Sequence, residues 1–147
     1  MIQIKDLGTF EAVPEIVIDI VKGNIVALEN ALIDGWDIHK PIQLDNYSEY
    51  SPLELALVIN CLPSVQWLVE HGVDLNEEEN PSFLLVVRYG TKKIIEYVVS
   101  HGANIHALNC VKLDAFEAAL YGKKYENLQI IHDLGHTVQK YGGKAFR

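Results

Sequence analysis

Two stretches of the chain are near copies of one another: Val69-Glu70-His71-Gly72-Val73-Asp74-Leu75-Asn76 and Val99-Ser100-His101-Gly102-Ala103-Asn104-Ile105-His106, 30 residues apart. Leu32-Ile33-Asp34-Gly35-Trp36-Asp37-Ile38-His39 is an earlier version, and His132-Asp133-Leu134-Gly135-His136-Thr137-Val138 a weaker later one. The shared glycines are spaced by 37, 30 and 33 residues. A unit of this length cannot bury an apolar face by itself, so a chain built from such units must stack them.

Twenty-one residues before each glycine lies a second aligned block. The four versions are Pro14-Glu15-Ile16-Val17-Ile18-Asp19, Ser51-Pro52-Leu53-Glu54-Leu55-Ala56, Pro81-Ser82-Phe83-Leu84-Leu85-Val86 and Asp114-Ala115-Phe116-Glu117-Ala118-Ala119. The pattern resembles the ankyrin repeat, whose unit opens on Thr-Pro-Leu-His-x-Ala and closes on paired leucines and a Gly-Ala-Asp turn. Leu68-Val69 and Val98-Val99 occupy the paired positions, with Ile131-His132 as a weak match. The resemblance covers residues 14–138 and is most specific in the middle two units. It implies an all-α, ankyrin-repeat solenoid of about four helix-turn-helix units with degenerate terminal caps. The units run roughly 14–46, 47–76, 77–109 and 110–138, after a lead-in (1–13) and before a basic tail (139–147).

The residues supply physical reasons for the same pattern. Ser51 suits a helix N-cap, and Pro52 a first turn whose amide is unbonded anyway. Leu53 and Ala56 share a helix face, where a small side chain lets neighbouring helices approach. Gly72 and Gly102 can take positive φ and end a helix. The loop from Gly35 to Ser51 is longer than the family's spacing and that from Gly72 to Pro81 shorter, which breaks the regularity of the projecting loops. His71 and His101 are explained by repeat position, because a cation before the glycine favours a helix C-terminus.

The chain has 147 residues, 49% of them hydrophobic, and a net charge of −8. That is one domain's length with enough apolar material for a core. Residues 1–80 hold fifteen acids and three bases, whereas 81–147 hold nine bases and five acids. An acidic half of this kind disfavours direct nucleic-acid binding and steers basic partners. Met1–Val13 lacks the basic start and apolar run of a secretory signal, and no uncharged stretch nears the roughly 18 residues of a membrane span. Cys61 and Cys110 read as buried thiols in a reducing compartment, so the expected location is cytoplasmic.

Catalytic readings are set aside. His132 and His136 are four apart but straddle a terminal turn and lack the glutamate of a helical zinc motif. Neither cysteine has a histidine and acid at a nucleophile's spacing. Glu77-Glu78-Glu79 lacks the alternation and glycine of a calcium loop, and Gly142-Gly143 does not lie between a strand and a helix. Neither an enzyme nor a cofactor is expected.

Carrying over the family's contact positions places Tyr47, Ser48, Tyr50, Glu77, Glu78, Asn80, Cys110, Val111 and Leu113 ahead of the blocks. Late in the first helices it places Val58-Ile59, Arg88-Tyr89 and Tyr121-Gly122. The tyrosines Tyr47, Tyr50, Tyr89 and Tyr121 combine a ring with a hydroxyl, as interface centres favour, and Asp45, Glu49, Glu54 and Glu77 can ring them with charge. Tyr89 and Tyr121 keep a second reading as packing between units; Trp36 and Trp67 read as structural. The resemblance implies a protein that binds another protein and covers its surface. It looks like a bacterial immunity protein neutralising a toxin, nucleases being candidates, through an acidic, tyrosine-bearing concave face. The alternative is an adaptor or inhibitory subunit in signalling or transcription control.

Overall fold

In the computed structural model, which describes residues 14–45 and 48–135, the chain is mostly helical, consistent with the all-α ankyrin-repeat reading. Among the described residues four helix pairs follow one another: α1 (Glu15–Lys22) with α2 (Ile25–Ile33), α3 (Pro52–Ile59) with α4 (Leu62–Glu70), α5 (Ser82–Tyr89) with α6 (Lys92–Ser100), and α7 (Ala115–Tyr121) with α8 (Glu126–Asp133). The first helix of each pair packs against its own partner and against the first helix of the next pair, α1 on α3, α3 on α5 and α5 on α7. The lead-in, the whole of the tail, His136 and Tyr47 lie outside the described residues.

Each block begins at a helix start. Ser51 accepts a hydrogen bond from the Glu54 amide at 3.0 Å while Glu54 accepts one from the Ser51 amide at 3.4 Å, a reciprocal cap. Asp114 and Glu117 repeat it at α7, at 2.8 and 3.2 Å. Pro52 stands at the first turn of α3 as expected. The four repeat glycines, Gly35, Gly72, Gly102 and Gly135, have φ of 102°, 85°, 99° and 89°. Two residues beyond the first three of them, Asp37, Asp74 and Asn104 each accept a bond from the backbone amide two positions on, at 2.8–2.9 Å. Side-chain turns of this kind give the loops a repeated shape that the glycine alone does not.

Apolar residues at equivalent positions form one core. Ile20, Leu57 and Val87, each six residues after its N-cap, are fully buried, as are Leu68 and Val98 from the second helices. Leu53 and Ala56 are buried together on α3. Polar latches join successive pairs. Ser64 on α4 donates to the Ile20 carbonyl, and Asn127 on α8 donates to the carbonyls of Val87 (2.9 Å) and Gly90 (3.1 Å). Asn60 accepts from the Thr91 amide at 3.2 Å. Asn76 bridges two loops, donating to the Gly102 carbonyl and accepting from the Asn104 amide at 2.7 Å. Such bonds satisfy carbonyls that a helix end leaves open.

The tryptophans are structural. Trp67 is 4% exposed, stacks on Trp36 with ring centroids 6.3 Å apart, and donates its indole N–H to Glu29 on α2 at 2.6 Å. His71 and His101 each place Nδ1 within 2.7–2.8 Å of the carbonyl four residues back, over the rings of Trp67 and Tyr97. Their repeat position is thus a direct C-terminal hydrogen bond as well as a favourable place for charge.

Two expectations need correction. The long loop between Gly35 and Ser51 contains a small antiparallel hairpin, β1 (Ile42–Asp45) with β2 (Ser48–Tyr50). Cys110 is exposed in the loop before α7 and is not a buried thiol; Cys61, half-buried, is the N-cap of α4. A turn following Asn109 holds the backbone there, which leaves Cys110 no core to enter.

Candidate protein-binding face

The hairpin sorts its residues by alternation. Ile42 pairs with Tyr50, Gln43 with Glu49 and Asp45 with Ser48, with an irregularity between Gln43 and Asp45. Ile42 and Ser48 are buried and Tyr50 is half-buried, while Gln43 and Glu49 face outward. Glu49 is therefore presented to solvent. Ser48, at 3% exposure, sits on the inner side, and its hydroxyl has no hydrogen-bond partner among the described residues. Glu77 and Glu78 are exposed in the segment leading to α5.

Among the members of the acidic set whose burial is described, Glu54 is the one held partly inside. Burial pushes its carboxyl above the ordinary value of 4.5, the bond from the Ser51 amide pulls it back, and the neighbouring Glu77 charge raises it further. Ionised Glu54 consequently weakens the fold. Between the ordinary glutamate value and its raised folded value, the native state keeps a proton that the unfolded chain has released, so stability falls as pH rises through that window. Glu54→Gln keeps the reciprocal cap. It is expected to melt at a higher temperature than the parent near pH 7, with the difference vanishing below about pH 4, as thermal unfolding across pH will test.

A second row runs across the first helices. Val58, Arg88 and Tyr121 each stand seven residues after an N-cap (Ser51, Pro81, Asp114), on helices packed in series. Tyr121 is 69% exposed, Ile59 is exposed at the next position of α3, and Tyr89 is half-buried with the Arg88 guanidinium 5.0 Å from its ring centre. Gly122, grouped with Tyr121 from the sequence, has a packing role. A methyl group built on it falls 1.9 Å from the Arg88 carbonyl oxygen, so α7 approaches α5 there as closely as glycine alone permits.

Sequence reasoning missed Leu120 and Tyr125, which are 50% and 61% exposed. Leu120 occupies the repeat position of the buried Leu57 and Val87, and among the described residues no further pair follows to cover it. A position-by-position comparison of the last unit with its predecessors is the signal that finds it. A shallow depression of about 590 Å³, bordered by Val21, Ile59, Cys61, Pro63, Lys93 and neighbours, runs along the helix corners. Its lining holds no carboxylate or imidazole; its titratable side chains are Cys61 and Lys93.

No family model matches the chain. It is 29% identical over 114 residues to human (Homo sapiens) ankyrin repeat and SOCS box protein 2, an alignment covering 73% of this chain and 18% of that protein. A Rickettsia felis protein named as an ankyrin repeat protein is 31% identical over 66% of this chain and 53% of its own length. Rat (Rattus norvegicus) ankyrin repeat and SAM domain-containing protein 6 is 32% identical over 68 residues, which is 44% of this chain and 8% of that protein. The chain thus spans from under a tenth to about half of the length of these relatives. Their shared name and the four helix pairs support an ankyrin-repeat protein and, with it, a protein-binding module. Among the described residues no helix is long and apolar enough to cross a membrane.

Proposed function

We propose that this protein acts by stoichiometric occlusion, as an immunity protein that covers a cognate bacterial toxin with an acidic face borne on a repeat solenoid. The units are those read from the sequence, and the face is the side formed by the hairpin, the loops before the first helices and the late turns of α3, α5 and α7. Asp45, Glu49, Glu54, Glu77 and Glu78 supply negative charge; Tyr47, Tyr50, Tyr89, Tyr121 and Ile59 supply apolar contact. Ser48 acts from within by seating the hairpin that displays Glu49. The partner's surface is basic, as a nuclease cleft is, and the complex forms without nucleic acid or membrane in the cytoplasm.

The observation that carries this reading is Glu54. Burial and the Glu77 charge both disfavour ionised Glu54, and a partner's cation placed there would relieve that cost. The exposed Glu49, Glu77 and Glu78 add a field that speeds encounter.

The test is rescue. Co-produced with a candidate secreted toxin whose gene adjoins its own, the chain is expected to restore growth and to bind that toxin one to one. Failure to bind any such toxin, together with capture of a kinase or transcription factor, sinks the immunity reading and leaves the adaptor. With the partner in hand, Glu49→Lys together with Glu78→Lys is expected to slow association about tenfold at low salt and hardly at all at high salt. Stopped-flow rates that ignore both charge and salt would remove the electrostatic part.

A further inference from the structure

The cleft between α5 and α7 carries chemistry opposite in sign to the acidic face around it. Arg88, in the last turn of α5, is the sole arginine among the described residues. Among the described residues its buried Nε has no hydrogen-bond partner, and no carboxylate forms an ion pair with it. A buried donor left unpaired is costly, the more so when charged, and such a group is poised for an acceptor. Its position at a helix C-terminus keeps the cation favourable while it waits.

Arg88 borders a niche of about 60 Å³, together with Asn80, Leu84, Asn109, Leu113 and Ala118. Asn109 accepts from the amides of Val111 and Leu113, both at 3.0 Å, which fixes its side chain and leaves its amide nitrogen to donate. Asp114 and Glu117, the carboxylates on the α7 side, give oxygens to their own reciprocal cap. The residues that border the niche include no carboxylate, and Asn80, Arg88 and Asn109 bring donors to it between apolar walls.

We infer that this cleft is a carboxylate subsite, which takes one aspartate or glutamate side chain of the bound protein. The inference rests on the protein-binding reading above and deepens it: the partner is basic over most of its footprint but presents one acid at a set place. A water's share of volume is roughly 30 Å³, so the niche holds about two waters or a single carboxylate head on a slender stem. A chain-terminal carboxylate is bulkier, because its neighbouring carbon carries both a side chain and a peptide group. Arginine's planar fork donates to both carboxylate oxygens at once, and that geometry discriminates against partners lacking the acid.

The chain has two arginines, Arg88 and Arg147, so its Nε–H region in a ¹H–¹⁵N spectrum contains two side-chain signals. On addition of N-acetylglutamic acid α-amide, the Arg88 signal is expected to move saturably, with the Leu113 and Ala118 amides following the same curve. Chloride at equal ionic strength leaves them in place, and N-acetylalanine, whose carboxylate is terminal, acts roughly tenfold more weakly. Arg88→Gln abolishes the shifts at Leu113 and Ala118. An Arg88 signal that stays still, or that responds equally to chloride or to N-acetylalanine, overturns the subsite. The probe is a single amino acid, so its failure leaves protein binding untouched, and a partner docking elsewhere leaves the titration untouched.

Discussion

Gly122→Ala is expected to destabilise the protein by about 3 kcal/mol, although a Gly→Ala change at a compatible backbone alone gains about 0.4–1 kcal/mol. The backbone of Gly122, at φ −82° and ψ −3°, is open to any residue, so the effect is purely one of space. The added methyl would lie 1.9 Å from the Arg88 carbonyl oxygen and 2.8 Å from its carbon, and that backbone belongs to the interior of the α5–α7 contact. Either α7 lifts from α5 or the end of α5 unwinds. A fall in melting temperature of roughly 6–12 °C follows from a loss of this size in a domain of this length. Gly72→Ala makes the comparison. Its methyl meets nothing within 4 Å but its φ is +85°, so the cost is the left-handed penalty alone, about 1–2 kcal/mol. If Gly122→Ala melts at or above the parent temperature, the close approach of α7 to α5 is wrong.

That contrast also shows which features the sequence can disclose. The repeat glycines, the caps at Ser51 and Pro52 and the face shared by Leu53 and Ala56 are local, and local chemistry determines them. Gly122 has a long-range cause, the Arg88 carbonyl on another helix, which no local pattern reports. The hairpin escaped for a different reason. Ile42 to Asp45 and Ser48 to Tyr50 alternate, but over so few residues that alternation does not separate a strand from a loop. Its placement then turned Ser48 inward and Glu49 outward, a division that depends on strand register alone. The charge asymmetry was plain in the sequence, yet the two features that make it informative were not. One is the half-burial of Glu54 beside Glu77; the other is the unpaired Nε of Arg88. Both arise when loops and helices distant in sequence are brought together.

Phe83→Ala should have the larger and more widespread effect. Phe83 is fully buried on α5, the helix that packs on both α3 and α7, and removing its ring costs about 4 kcal/mol in lost burial and residual cavity. Ile131→Ala on α8 removes a similarly buried side chain, at about 3 kcal/mol. The two losses differ in what they disconnect. When pairs contact their neighbours only in series, stability is a sum of pair and interface terms. Weakening the last pair then frays α7 and α8 while leaving α1 to α4 protected. Weakening α5 cuts the chain of interfaces in the middle and leaves short blocks on either side, each with too little buried surface to persist. Hydrogen exchange is therefore expected to show raised rates confined to residues beyond about 114 in Ile131→Ala, and throughout the molecule in Phe83→Ala. Equal, global exchange in both variants would mean that the four pairs fold as one indivisible unit, and the serial account of their packing would have to be abandoned.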